Sequence, residues 1–103
     1  MAASTKRFIL TDATYVDISE GATMVWFVLT FDPNENNAIR LALGQSLPAA
    51  DTIHYQDINP LSFKVGNNDY PQEVPIRVDQ LGAGDRVYVR AERDSAEVAV
   101  HRK

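Results

Sequence analysis

The run Met24-Val25-Trp26-Phe27-Val28-Leu29-Thr30-Phe31 holds eight residues, and only Thr30 is not strongly apolar. Side chains on a strand alternate between the two faces of a sheet. A strand with one wet face therefore alternates apolar with polar, and this run does not. Both of its faces ask for cover, which a chain of 103 residues must supply itself or take from a neighbour.

The rest of the chain carries strand signals and almost no helix signals. Residues 7–10 and 14–18 are short stretches of Phe, Ile, Tyr, Val and Thr, which suit a pleated surface. Ser19-Glu20-Gly21-Ala22 reads as the turn into the long run, and Asp32-Pro33-Asn34-Glu35-Asn36-Asn37 as a polar loop of turn formers. Residues 38–43 alternate, with Ile39, Leu41 and Leu43 on one face and Ala38, Arg40 and Ala42 on the other. Residues 44–51 are irregular. Weaker strands follow over 53–58 and 61–65, and another over 74–78, where Pro75 points to an edge or a bulge. Gly82-Ala83-Gly84-Asp85 is a turn, and 86–92 and 96–101 form the clearest pair of strands. Eight or nine short strands with turns at this spacing predict an all-β fold of about eight strands, an antiparallel β-sandwich or a jelly-roll-like small barrel. The chain is one domain over 1–103, with 1–6 as an N-terminal arm.

The pattern also suggests pairings. A hairpin turning at Asp94-Ser95 would set Val89 against Val100, Ala91 against Val98 and Val87 against Arg102, leaving Tyr88 beside His101 and Arg90 beside Ala99 outside. For the central run, a hairpin with 38–43 has two registers, and a one-residue slip exchanges the faces. The register with Phe27, Leu29 and Phe31 opposite Leu43, Leu41 and Ile39 gathers the purer apolar set. It leaves Met24, Trp26 and Val28 on the outer face, where a large apolar patch marks an interaction site.

Composition narrows the chemistry. The chain has no cysteine, which removes disulfides, thiolate metal sites and cysteine nucleophiles. A net charge of −4 argues against a sequence-independent grip on nucleic acid. The N-terminus lacks the apolar stretch of a signal peptide. The longest apolar run is far short of the roughly 20 residues of a membrane helix. Asp32, Asn34 and Asn36 match the opening of a calcium loop, but Asn37 stands where Gly is needed and Leu43 where a bidentate Glu is needed. His54 and His101 have no neighbouring ligand at metal spacing. The aspartates at 12, 17, 51, 57 and 85 are scattered, and those before Thr52 and Arg86 suit turn closure by bonding nearby backbone N–H groups. No nucleophile motif and no phosphate loop is present. The stripe Arg86, Tyr88, Arg90 mixes basic and aromatic residues, as a stacking platform does and as any exposed strand face does. The expectation is a protein without enzyme activity, metal or cofactor.

The segment Ile39-Arg40-Leu41-Ala42-Leu43-Gly44-Gln45-Ser46-Leu47-Pro48-Ala49-Ala50-Asp51-Thr52, with the ending Arg86-Val87-Tyr88-Val89-Arg90-Ala91 and Ala96-Glu97-Val98-Ala99-Val100, resembles small β-sandwich virion proteins of tailed bacteriophages. There a strand ends in Gly, a small-residue loop follows, and the chain closes on two such strands. The 32–37 loop and the 70–79 stretch depart from the compact form. The resemblance implies a head decoration, cement, neck or tail accessory protein in the virion, assembled in the host cytoplasm. It carries no catalytic residues.

The expected function is therefore a capsid decoration or cement subunit that stabilises the shell by non-covalent binding. Its partners would be the major capsid protein or other virion proteins and copies of itself, a trimer among the forms allowed, with no nucleic acid and no membrane. Expected interface residues are Met24, Trp26, Val28, Arg40, Tyr88 and Arg90. The alternative is a carbohydrate- or receptor-binding module that stacks sugars on Tyr55, Tyr70 or Tyr88.

Overall fold

The structure, a computed structural model, describes residues 4–29, 38–58 and 76–103. Eight strands are laid out in chain order: β1 (Ser4–Thr11), β2 (Val16–Asp17), β3 (Val25–Leu29), β4 (Ile39–Gly44), β5 (Gln56–Ile58), β6 (Ile76–Val78), β7 (Arg86–Ala91) and β8 (Ser95–Arg102). No helix occurs among the described residues. The strands form two four-stranded antiparallel sheets, in the orders β1-β8-β3-β6 and β2-β7-β4-β5. The fold is a small all-β sandwich.

The core is made by the inward residues of both sheets. Leu10, Val25, Phe27, Val98 and Val100 come from the first sheet and Ile39, Leu41, Val87, Val89 and Ala91 from the second, with Ile18 and Ala22 from a turn. Phe27 is the largest fully buried side chain, and burying such a side chain stabilises by about 1.5–3 kcal/mol.

The faces follow the sequence pattern, but the pairings do not. Strands β7 and β8 are not a hairpin. They sit in opposite sheets, β7 between β2 and β4 and β8 between β1 and β3. The chain crosses the sandwich at 92–94, where Asp94 takes a φ of 49°. The crossing is pinned by Asp94 N–H to an Asp12 carboxylate oxygen at 3.1 Å and by Asp12 N–H to the Asp94 carbonyl at 3.2 Å. The same holds for the central run: β3 pairs with β8 and β6, and β4 pairs with β7 and β5. An alternating pattern states which face of a strand is buried and is silent on whether its apolar partners lie beside it or across the core. Leu43, expected inside, is 61% exposed near the end of β4.

Other boundaries moved for local reasons. The 14–18 stretch shrinks to Val16–Asp17, because Asp17 Oδ1 accepts Ser19 N–H at 2.9 Å, Ser19 Oγ–H at 2.6 Å and Glu20 N–H at 3.1 Å. These bonds close the turn that the sequence places at 19–22, with φ of 47° at Glu20 and 86° at Gly21. The 53–58 strand keeps only Gln56–Ile58. Residues 4–6, expected in an arm, begin β1. The turn at Gly82–Asp85 is closed as expected, Gly82 N–H bonding the Asp85 carboxylate at 2.9 Å and Asp85 N–H the Gly82 carbonyl at 3.1 Å. The 32–37 loop with its calcium-like spacing, Phe31, the 61–65 strand, Tyr70 and Pro75 lie outside the described residues.

Candidate functional site

A sandwich has two outer faces, and this one treats them differently. The outer face of the second sheet is roofed by its own chain. Tyr15, Ala42 and Tyr88 form a second apolar cluster there. Arg90 lies among them with its guanidinium 5.5 Å from the Tyr15 ring. Its Nε donates to the Ala50 carbonyl at 3.1 Å, and Nη1 donates to Ala91 and Asp12 carbonyls at 2.8 and 3.4 Å. The arginine is thus a clamp between β7, the 12–15 turn and the 45–55 segment. Arg40, its cross-strand neighbour, would repel it, but Arg40 is held over the Tyr55 ring at 4.3 Å and beside Asp57 at 3.6 Å.

Among the described residues, no segment crosses the outer face of the first sheet. Alternation and register place Thr5, Arg7, Ile9 and Thr11 of β1, Glu97, Ala99 and His101 of β8, Trp26 of β3 and Arg77 of β6 on it. Across one row run Thr5, His101, Trp26 and Arg77. Thr5 Oγ1 and His101 Nδ1 are 2.9 Å apart, a hydrogen bond whose direction follows the imidazole tautomer. The imidazole stacks on the Trp26 indole, with centroids 5.3 Å apart and planes 19° from parallel. Arg77 is paired with Asp79 at 2.7 Å, and Arg7 with Glu97. Ile9 adds an apolar side chain that is 74% exposed. The face therefore offers a half-buried, pre-stacked aromatic pair, an exposed aliphatic residue and charges already neutralised within the chain. Such a surface can bind by burial and stacking, and it presents no arrangement of reacting groups.

The six expected interface residues do not come together. Trp26 is half-buried on the open face, and Met24 is half-buried just before β3, its backbone tied to Lys103. The Val28 side chain lies outside the described residues. Arg40, Tyr88 and Arg90 are on the other outer face, and Tyr88 and Arg90 are 6% and 7% exposed. The expectation that the stripe Arg86, Tyr88, Arg90 is an exposed strand face is corrected for Tyr88 and Arg90: the strand points them away from the core, but Tyr88 packs with Tyr15 and Ala42, and Arg90 is tied to the Ala50 and Asp12 carbonyls. Sequence reasoning missed Ile9, Thr5, Arg77 and the His101 stack. Only the assignment of β3, β1 and β6 to one sheet assembles them, and no local pattern carries that. Of the tyrosines suggested for sugar stacking, Tyr88 is buried and Tyr55 carries Arg40 on its ring. Among the described residues no three His, Asp or Glu side chains are grouped as metal ligands would be, and no helix is long and apolar enough to cross a membrane.

No protein-family model matches the chain, and curated protein sequences give no match. Among solved structures, the chain is similar to a pentameric capsid protein isolated from metagenomic phage sequences and solved by iodide phasing. The two share 14% identity at a TM-score of 0.50, with 95% of this chain and 67% of the other covered. A second structure of a pentameric capsid protein from metagenomic phage sequences aligns at 14% identity and a TM-score of 0.49, covering 95% of this chain and 60% of that one. At this identity the first likeness shows a common sandwich fold.

Proposed function

We propose that this chain is a structural protein of a bacteriophage virion, a capsid decoration or cement subunit that binds the shell non-covalently through the outer face of its first sheet. The observation that carries the reading is the open face itself. Among the described residues the 45–55 segment is tied over one outer face through Arg90 and no segment crosses the other, where Trp26 stacks on His101 and Ile9 is exposed. A stacked aromatic pair and an exposed aliphatic side chain on one sheet face suit a protein contact, and Trp is a favoured hot-spot residue. The sequence resemblance to small phage virion proteins supports the phage setting, and the fold shared with a phage capsid protein is in keeping with it. Binding through a face and a strand edge also agrees with a protein that works as an oligomer in the shell.

The test is co-sedimentation with purified capsids. The wild-type chain pellets with the shell, and Trp26→Ala weakens binding by about tenfold or more, as loss of a central aromatic does, while its melting temperature stays within a few degrees. A wild-type chain that remains in the supernatant overturns the reading.

A further inference from the structure

We infer that the outer edge of β1 is a dimerisation edge, along which two copies of this chain join their β1 strands antiparallel about a two-fold axis at Phe8. The argument begins with the direction of the backbone groups. Asp12 N–H bonds the Asp94 carbonyl, in register with the β1–β8 pairing. Hydrogen bonding alternates along an antiparallel strand, so Leu10, Phe8, Lys6 and Ser4 bond to β8. On the other side of β8, Lys103 and Met24 exchange both of their backbone bonds. That puts the odd-numbered residues of β8 on β3 and confirms the parity. Thr5, Arg7, Ile9 and Thr11 consequently aim N–H and C=O away from the sheet. Among the described residues no strand meets them, and all four side chains are exposed.

An open edge of this length is usually guarded by Pro, a bulge, short length or unpaired charge. Strand β1 has eight residues and no Pro or Gly. Its two charges are already satisfied within the chain, Lys6 by Glu20 at 3.7 Å and Arg7 by Glu97. The edge is therefore chemically fit to pair.

Its own sequence selects the partner. Only registers that bring odd residues opposite odd residues match donors to acceptors. With the axis at Arg7 the two guanidinium groups would face each other. With the axis at Ile9 the Thr5 groups would lie beyond the pairing. With the axis at Phe8, Thr5 faces Thr11 of the second copy and Arg7 faces Ile9 of the second copy, so every outward backbone group is used. The two Phe8 rings then meet across the axis, Lys6 has Asp12 of the second copy on its diagonal, and Thr–Thr and aromatic pairs are favourable cross-strand neighbours. The two first sheets become one continuous sheet, and the two Trp26–His101 stacks lie on the same face of it.

The inference is independent of what the face binds, and two measurements on the full chain test it. Light scattering gives a mass of two chains. Ile9→Pro returns one chain with an unchanged far-UV spectrum, because that N–H points away from β8 and Pro is tolerated on an outward edge. A wild-type mass of one chain at about 1 mM, the weak end of specific affinities, overturns the inference, as does any assembly that Ile9→Pro leaves intact. The second measurement exploits the absence of cysteine. Thr5→Cys and Thr11→Cys cross-link when mixed under mild oxidation, while neither does so alone. Cross-linking by either variant alone, or none in the mixture, overturns the register.

Discussion

The Arg90 guanidinium donates through Nε to the Ala50 carbonyl, 3.1 Å away, and so fastens the 45–55 segment over a sheet face that would otherwise be bare. Arg90 also serves the Asp12 and Ala91 carbonyls. Its planar fork reaches three acceptors that the point charge of a lysine cannot serve together.

Arg90→Ala accordingly takes the donor from three carbonyls, that of Ala91 buried, and removes the guanidinium packed against Tyr15. The expected cost is about 2–4 kcal/mol in urea unfolding, in the range of broken buried networks. Limited proteolysis should cut the 45–55 segment first. Arg90→Lys should recover less than half of the loss. Equal stability of Arg90→Lys and wild type would show that charge rather than geometry holds the segment.

A second buried cation has a different partner. The Arg102 side chain, 7% exposed, lies with Nη1 2.6 Å from Glu20 Oε2. The contact is an ion pair without the alignment of a hydrogen bond, and among the described residues Nε of Arg102 has no acceptor either. Removing the carboxylate strands a buried charge, and Glu20→Gln is expected to cost about 1–3 kcal/mol, less than a fully buried pair because Glu20 is half exposed. Lys6, the other partner of Glu20 at 3.7 Å, is a surface charge. Lys6→Ala should change stability by less than about 0.5 kcal/mol. Chemical denaturation of the two variants side by side checks the contrast.

Tyr15 is buried beside Arg90, and among the described residues its hydroxyl meets no hydrogen-bond partner. An unpaired buried hydroxyl opposes folding, so Tyr15→Phe is expected to stabilise by about 0.5–1 kcal/mol. A lower melting temperature for that variant would mean that the hydroxyl is satisfied in solution.

How far the sequence reaches is visible in β3. Its unbroken apolar run announces two faces that need cover, and the assignment of Val25 and Phe27 to the core with Trp26 outside agrees with the structure. Period-two patterning is a local property and survives translation into the sandwich. Neighbour choice is not local. Val89 and Val100 read as a facing pair on one ribbon, yet they lie in opposite sheets. For the same reason the open face stayed hidden. Thr5, Trp26, Arg77 and His101 are far apart in sequence and meet only through the order β1-β8-β3-β6. The assignment predicts unequal costs. Phe27→Ala should lose about 3–5 kcal/mol, as buried aromatics do on truncation. Trp26→Ala should lose well under half as much in the isolated protein.

Asp85 gives the chain a defined acid response. The Gln45 side-chain amide, 3.2 Å from Oδ1, lowers its pKa below the usual carboxylate value, helped by the Gly82 N–H at 2.9 Å from Oδ2 and the nearby Arg86 charge. A carboxylate held more acidic in the folded state stabilises that state above the unfolded pKa. The contribution is lost as pH falls through the folded pKa, because protonation then removes the acceptor. Asp85→Asn removes this dependence. The melting temperatures of wild type and Asp85→Asn should therefore differ most at neutral pH and converge as pH falls through and below the ordinary carboxylate range. A difference that stays constant from pH 7 to about pH 2, across the titration of an Asp side chain, would show that the turn is held by the Asp85–Gly82 backbone bond alone.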